Sequence, residues 1–141
     1  MGRYRKIETM QPHRQKIPRS PATLVTTITN QLLEIDAFTQ RYWEFAQRWG
    51  ISHAVSQSLI LALDELLSNI IYYAYRDDRE HDIQIRVALT ESAVTATIVD
   101  DGIPFDPFQR KEPDTTTDLA AREIGGLGIH LVRQIIDYVD Y

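Results

Sequence analysis

Leu61-Ala62-Leu63-Asp64-Glu65-Leu66-Leu67-Ser68-Asn69-Ile70-Ile71-Tyr72-Tyr73-Ala74-Tyr75 is the stretch of this chain that says most about its architecture. Together with Leu59 and Ile60 it is apolar almost all round, so the helix it predicts is buried on most of its circumference rather than along one stripe. Within that run stand Asp64, Glu65, Ser68 and Asn69. Glu65 and Asn69 are four residues apart, hence on one face and one turn from each other. Burying a polar group without a partner costs roughly 2–7 kcal/mol, and an unpaired carboxylate more. A metal ion, a polar ligand or ordered water lining a cavity would satisfy the two side chains. Hydrogen bonds to neighbouring loops, or exposure to solvent, would do so equally.

Working outward, this helix is expected to start at Ser52 and run to about Tyr75. A first helix precedes it, capped by Asn30 and continuing to about Trp49, with Leu33, Ile35, Phe38, Tyr42, Phe45 and Ala46 near helical spacing and Gly50 as its stop. Thr23–Thr29, rich in β-branched residues, reads as a strand. After the polar turn Arg76–Glu80, His81–Leu89 and Ala93–Asp100 read as two strands of an antiparallel hairpin joined by Thr90-Glu91-Ser92. Residues 103–124 lack a clear period and contain Pro104, Pro107 and Pro113; a long structureless segment inside a compact domain is usually functional, here an expected lid. Gly125-Gly126-Leu127-Gly128 opens a third helix through about Asp137, and Val139-Asp140-Tyr141 begins another strand. This order is α+β, with helices layered on a mixed or antiparallel sheet.

Composition narrows the function classes. The chain has 141 residues, 43% hydrophobic and 25% charged, which suits one domain with a sizeable core. It has no cysteine, so thiol nucleophiles, disulfides and Cys-based zinc sites are excluded. No uninterrupted apolar run approaches the roughly 18 residues that span a bilayer, and no signal-peptide core opens the chain, so the expected address is the cytoplasm without membrane contact. The net charge of −5 is uneven: residues 1–20 carry Arg3, Arg5, Lys6, Arg14, Lys16 and Arg19 against Glu8 alone, a net +5, which leaves −10 on the rest. An acidic body argues against direct nucleic-acid binding, which relies on neutralising phosphates. Residues 1–21 are expected to be a basic tail, flexible or vector-derived, and residues 22–141 the folded domain.

Two further constellations frame the helix. Val99-Asp100-Asp101-Gly102 ends a strand in a carboxylate followed by glycine, which aims the acid off the sheet and lets the backbone turn close to a ligand. Gly126-Leu127-Gly128 at a helix start lets backbone N–H groups approach a phosphate at the positive end of the helix dipole. Alone, each is a weak signal: a turn in the one case, a hinge in the other. No Gly-Lys-Ser/Thr follows, so this is not a Walker P-loop.

In this order, the three motifs resemble those of the serine/threonine-kinase anti-sigma factors, small bacterial members of the ATPase superfamily shared by gyrase, the Hsp90 chaperones, histidine kinases and the mismatch-repair ATPases. The resemblance runs from about Leu24 to Tyr141 and rests on Glu65-x-x-x-Asn69, on Asp100-Asp101-Gly102-Ile103-Pro104-Phe105-Asp106-Pro107, and on Gly126-Leu127-Gly128-Ile129 leading to Asp137-Tyr138-Val139. It implies a two-layer α/β sandwich of the Hsp90/histidine-kinase ATPase type, three helices on a mixed, mostly antiparallel sheet. It further implies ATP and Mg²⁺ as cofactors: Asn69 on the metal, Glu65 as general base, Asp100 on the adenine amino group, Gly102 against the ring, and Gly126, Leu127 and Gly128 at the phosphates. Arg122, in the lid, would reach the γ-phosphate on closure. The implied partners are a sigma factor and a small antagonist protein, with a homodimer through the first helix and strand.

The chain departs from the family pattern in three places. Pro104 stands where a second glycine is usual, and Tyr73 where His is frequent, at the site's edge or in the core. A final strand bearing Thr or Ser near the adenine is missing from these 141 residues, which predicts a sheet short of an edge. Two other functions stay open beside the kinase: a nucleotide-gated partner-binding regulator without phosphotransfer, and a histidine-kinase-type catalytic domain. None of His13, His53, His81 and His130 has a metal-ligand spacing to another; His130 reads as a surface position on its helix, and Trp43 and Trp49 as packing or interface residues.

Overall fold

A computed structural model describes residues 3–10, 21–104, 106 and 126–140. In chain order the elements are β1 (Arg3–Met10), β2 (Ala22–Thr29), α1 (Leu33–Trp49), α2 (His53–Tyr73), β3 (Asp82–Leu89), β4 (Ala93–Asp100), α3 (Gly126–Ile135) and β5 (Tyr138–Asp140). The strands form one sheet in the order β2-β3-β4-β1-β5. Every described pairing is antiparallel, so the sheet is antiparallel rather than mixed.

Over Arg3–Met10 the expected flexible tail is corrected by β1, while residues 1–2 and 11–20 of that tail lie outside the described residues. Arg3–Met10 pairs along its whole length with β4, from Arg3 opposite Asp100 to Met10 opposite Ala93, and on its other side with β5. The physical reason is a period of two that the charge count concealed: Arg5, Ile7 and Thr9 are buried on the helix side, while Tyr4 and Met10 face outward and are exposed. Charge does not keep this strand in water, because Arg5 has a buried acidic partner in Asp100 and the Lys6 ammonium lies 5.6 Å from the Tyr138 ring centre. Strand β1 thus covers the edge of β4 that faces away from β3.

Local chemistry explains most element boundaries. Ser52 caps α2, its hydroxyl accepting from the Val55 N–H at 3.2 Å, and Gly50 ends α1 in the left-handed region (φ 59°). Thr90 N–H donates to the Ala93 carbonyl at 2.9 Å and closes the β3–β4 hairpin. Asn30 does not cap α1 as expected. Its carboxamide is taken across the molecule by the His81 N–H (3.0 Å) and the Arg79 carbonyl (3.1 Å), and α1 starts at Leu33 without a side-chain cap. Asparagine has both donor and acceptor, so a long-range partner competes with the local helix end.

One face of the sheet carries the core. Ile83, Ile85 and Val87 of β3, and Val94, Ala96 and Ile98 of β4, are buried beneath the helical layer. Above them lie Leu59, Leu63, Leu66, Leu67 and Ile70 of α2, Phe38 and Tyr42 of α1, and Ile129 and Val132 of α3. By length and composition α2 is long and apolar enough to cross a membrane; here those side chains pack on the sheet. Each fully buried Leu or Ile contributes about 1.5–3 kcal/mol through apolar transfer. Helix α2 is thus anchored along its length, which holds its few polar residues in fixed directions.

Candidate functional site

Glu65 and Asn69 lie one turn apart on α2, as their spacing requires. Asn69 is only 8% exposed, and its Nδ2 is buried without a hydrogen-bond partner. An orphan of this kind is uncommon in a folded core and marks a place where a polar ligand can be taken up. Glu65 is half-buried and meets the start of α3: a Cβ built on Gly128 would fall 1.7 Å from Glu65 Oε2. Only a residue without a side chain lets the first turn of α3 close on the carboxylate in this position. Burial pushes the Glu65 carboxyl above its ordinary value, and the neighbouring Asp64 charge adds to the shift. The Asp64 carboxyl is raised too, by burial and then by Asp36.

The second group lies at the C-terminal end of α2. Asp100, the last residue of β4, has a fully buried side chain; its Oδ1 accepts from the Gly102 N–H at 2.9 Å and its Oδ2 from the Arg5 guanidinium. Gly102 is pressed on α2, since an added Cβ would lie 2.5 Å from Ala74 Cβ, and the next N–H, of Ile103, donates to the Ala74 carbonyl at 2.7 Å. These contacts join the strand-end motif to the end of the Glu65/Asn69 helix.

Beside them Tyr75 stacks on His81, with ring centres 4.2 Å apart. The Tyr75 hydroxyl is buried without a partner; burial, followed by the Asp100 and Asp101 charges, pushes its pKa up. His81 bridges two acids, Nε2 to Asp77 Oδ1 at 2.7 Å and Nδ1 to Asp101 Oδ1 at 3.1 Å. Its pKa is raised, chiefly by the Asp77 bond, while His81 and Arg79 hold Asp77 down to about 2.

The structure therefore brings Glu65, Asn69 and Gly128 together, and sets Asp100 and Gly102 at the other end of α2. Gly126 and Leu127 are the first residues of α3. Arg122 and, with it, residues 105 and 107–124 of the expected lid lie outside the described residues. Tyr73 is 41% exposed, which removes its core-packing alternative. His130 Nε2 lies 3.1 Å from Gln134 Nε2, one turn along α3, in an exposed contact that suits a position on the helix surface. Trp43 stacks on His53 at 5.3 Å and, like Trp49, packs partly buried on the core. A cavity of about 360 Å³ lined by Trp43, Glu44, Ala46, Gln47, Ile51 and His53 shares no residue with this site. Sequence reasoning missed Arg5 and the Tyr75–His81 wall. The one available signal for Arg5 was the alternation Arg5, Ile7, Thr9.

The donor set can be tested against a metal. Among the described residues no group of three or more His, Asp or Glu side chains is placed to hold an ion. Mg²⁺ needs no such group, because it keeps several waters and takes one or two protein oxygens together with substrate phosphates. The Asn69 carboxamide supplies such an oxygen.

Comparison with known proteins places these motifs in a wider set. The model of the histidine kinase-like ATPase domain matches residues 28–141. The serine-protein kinase RsbW of Bacillus subtilis is 28% identical over 100 residues, covering 67% of this chain and 61% of its own. RsbW of Listeria monocytogenes is 28% identical over 98 residues, covering 67% and 62%. The serine/threonine-protein kinase BtrW of Bordetella bronchiseptica is 28% identical over 116 residues, covering 82% and 77%. The match to the first two thus spans about three fifths of their length. No solved structure matches significantly.

Proposed function

From the premise that the chain belongs to the histidine kinase-like ATPase domain family, we propose that it is an ATP-dependent protein serine/threonine kinase. The observation that carries this reading is the meeting of Glu65 with Gly128 one turn from Asn69, whose carboxamide nitrogen is buried without a partner. A holder of nucleotide needs the amide and the glycines; a carboxylate with raised pKa facing the same space is what a base requires.

In this reading Gly126, Leu127 and Gly128 present the start of α3 to the nucleotide phosphates, and Asn69 holds Mg²⁺. When bound, the metal neutralises phosphate charge and orients the transferring group. A serine or threonine hydroxyl of a protein substrate attacks the γ-phosphorus, and Glu65 takes the hydroxyl proton. The bond from the γ-phosphorus to the bridging oxygen breaks, and ADP leaves with that electron pair. Positioning and electrostatics do most of the work in such transfers, so a small domain suffices. Asp100 accepts the adenine amino group, with Gly102 beside the ring, and Arg122 belongs to the closing segment.

The names of the relatives support a serine or threonine as acceptor. The motif resemblance supports an anti-sigma factor that phosphorylates a small antagonist protein, sequesters a sigma factor, and acts in the cytoplasm as a homodimer. Titration of Mg²⁺-ATP by calorimetry on wild type, Asn69→Ala and Asp100→Asn tests the site: metal-dependent binding lost in both variants is expected. Transfer of an acid-stable label to a serine-bearing antagonist then tests the reaction. Acid-labile label on an imidazole would assign the histidine-kinase chemistry instead, and binding without transfer a nucleotide-gated regulator.

A further inference from the structure

We propose that Arg5, at the opposite end of the chain from the nucleotide motifs, is the positioning residue that makes Asp100 select a 6-amino purine over a 6-oxo one. The inference rests on the nucleotide reading above and deepens it. Strand β1 lies outside residues 28–141 that the family model matches, yet it is an inner strand of the sheet. Arg5 stands opposite Ile98, two residues before Asp100 on the same core-facing side of β4. Diagonal neighbours across an antiparallel pair are within reach of a long side chain, and the guanidinium spans that diagonal to Asp100 Oδ2.

Both groups are out of water: Arg5 is 2% exposed and the Asp100 side chain 0%. A buried pair of this kind is costly to assemble and more costly to break, because the survivor keeps an uncompensated charge. Its presence has a chemical consequence. A carboxylate paired with a guanidinium accepts hydrogen bonds and donates none, and its two oxygens offer about four acceptor positions. Arg5 on Oδ2 and the Gly102 N–H on Oδ1 hold both oxygens and stop the group rotating. The carboxylate then meets a ligand with lone pairs alone. The exocyclic amino group of adenine offers hydrogens to them; the carbonyl of hypoxanthine or guanine at the same ring position opposes lone pair to lone pair. A carboxyl released from Arg5 can rotate, and it then no longer holds its lone pairs toward the amino group.

The test compares Mg²⁺-ATP with Mg²⁺-ITP, which exchanges the 6-amino group for a 6-oxo group. Binding is measured by calorimetry on wild type, Arg5→Lys, Arg5→Gln and Asp100→Asn, with thermal melts to establish folding. Wild type is expected to prefer ATP at least tenfold. The ATP/ITP ratio should fall in the order Arg, Lys, Gln, by about tenfold at Gln, through lost ATP affinity with ITP affinity held. Lysine restores part of the preference because it keeps the charge without the planar fork. If Arg5→Gln does not fold, the Arg5→Lys ratio decides: a drop of about threefold supports the proposal, and an unchanged ratio overturns it. Equal weakening of ATP and ITP across the series overturns it in favour of a structural role, and tighter ATP binding by Arg5→Gln in favour of occlusion. ATP binding that needs Asp100 but ignores Arg5 overturns this inference alone. A wild type that binds no nucleotide overturns it together with the reading beneath it.

Discussion

The two ends of the site are built in opposite ways. Glu65 and Asn69 are four residues apart on one helix, and the periodicity of that helix sets their relation whatever else the chain does. Arg5 and Asp100 are 95 residues apart and meet only because β1 enters the sheet beside β4. The first arrangement is secure once α2 is buried. The second depends on a strand pairing that closes a long loop, so it forms with the tertiary structure or not at all. The proposed phosphotransfer chemistry falls to the local end, and the proposed preference for one base to the assembled end.

The difference can be broken from either side. The largest effect is expected for Glu65→Gln, which keeps the shape of the local end and removes its base: phosphotransfer in single turnover should fall about 10²–10⁴-fold while Mg²⁺-ATP affinity stays within a few-fold. In the wild type, because Glu65 is raised above its ordinary 4.5 by burial and Asp64, the rate should rise with pH through a point above that value. Transfer at full rate by the variant would refute the assignment of the base.

The assembled end answers in stability. Arg5→Gln leaves Asp100 buried without its counter-charge and should cost about 3–5 kcal/mol in denaturant unfolding. Arg5→Gln combined with Asp100→Asn should recover part of that loss. Equal loss in the single and double variants would mean that the two side chains are not coupled.

Gly128→Ala sharpens the contrast further. The new Cβ meets the tip of Glu65, which is flexible and can swing away, so the melting temperature should change little. A displaced base should still slow phosphotransfer by about 10²-fold, since misplacement by an ångström is enough. A normal rate would show that Glu65 works from another position.

The smallest effect belongs to the Asp77–His81–Asp101 bridge beside the assembled end. His81 is raised above 6.5 by Asp77, so its contribution to stability is full below pH 6.5 and is lost as pH rises through the raised value. On the acid side Asp77 contributes above its ordinary 3.8 and loses that contribution as pH falls toward about 2. Melts from pH 5 to 9 should show a modest decline that His81→Gln removes. An identical decline in the variant would assign it to other groups.

What could be read in advance divides along the same line. The Ser52 cap, the Gly50 stop, the Thr90 turn and the shared face of Glu65 and Asn69 each rest on neighbours within a few residues, and each stands where the residues indicated. The closeness of Gly128 to Glu65 is a tertiary contact that no spacing indicated. Asn30 misled because its amide has more than one possible partner, and the distant one, across to Arg79 and His81, prevailed. The basic start of the chain misled more deeply. Counting six cations against one acid describes an unpaired segment, and the buried partner that changes the meaning of one of them, Arg5, lies at the far end of β4.

The sequence by itself determined the helices, the Ser52 cap and Gly50 stop, the hairpin and the shared face of Glu65 and Asn69, because hydrogen bonds and side-chain periodicity over one or two turns suffice for these. Only the tertiary structure decided which strand covers the edge of β4 and which cation meets Asp100. A strand carries no local mark of its partner: its hydrogen bonds run sideways, and the chain that accepts them is chosen by the burial of both.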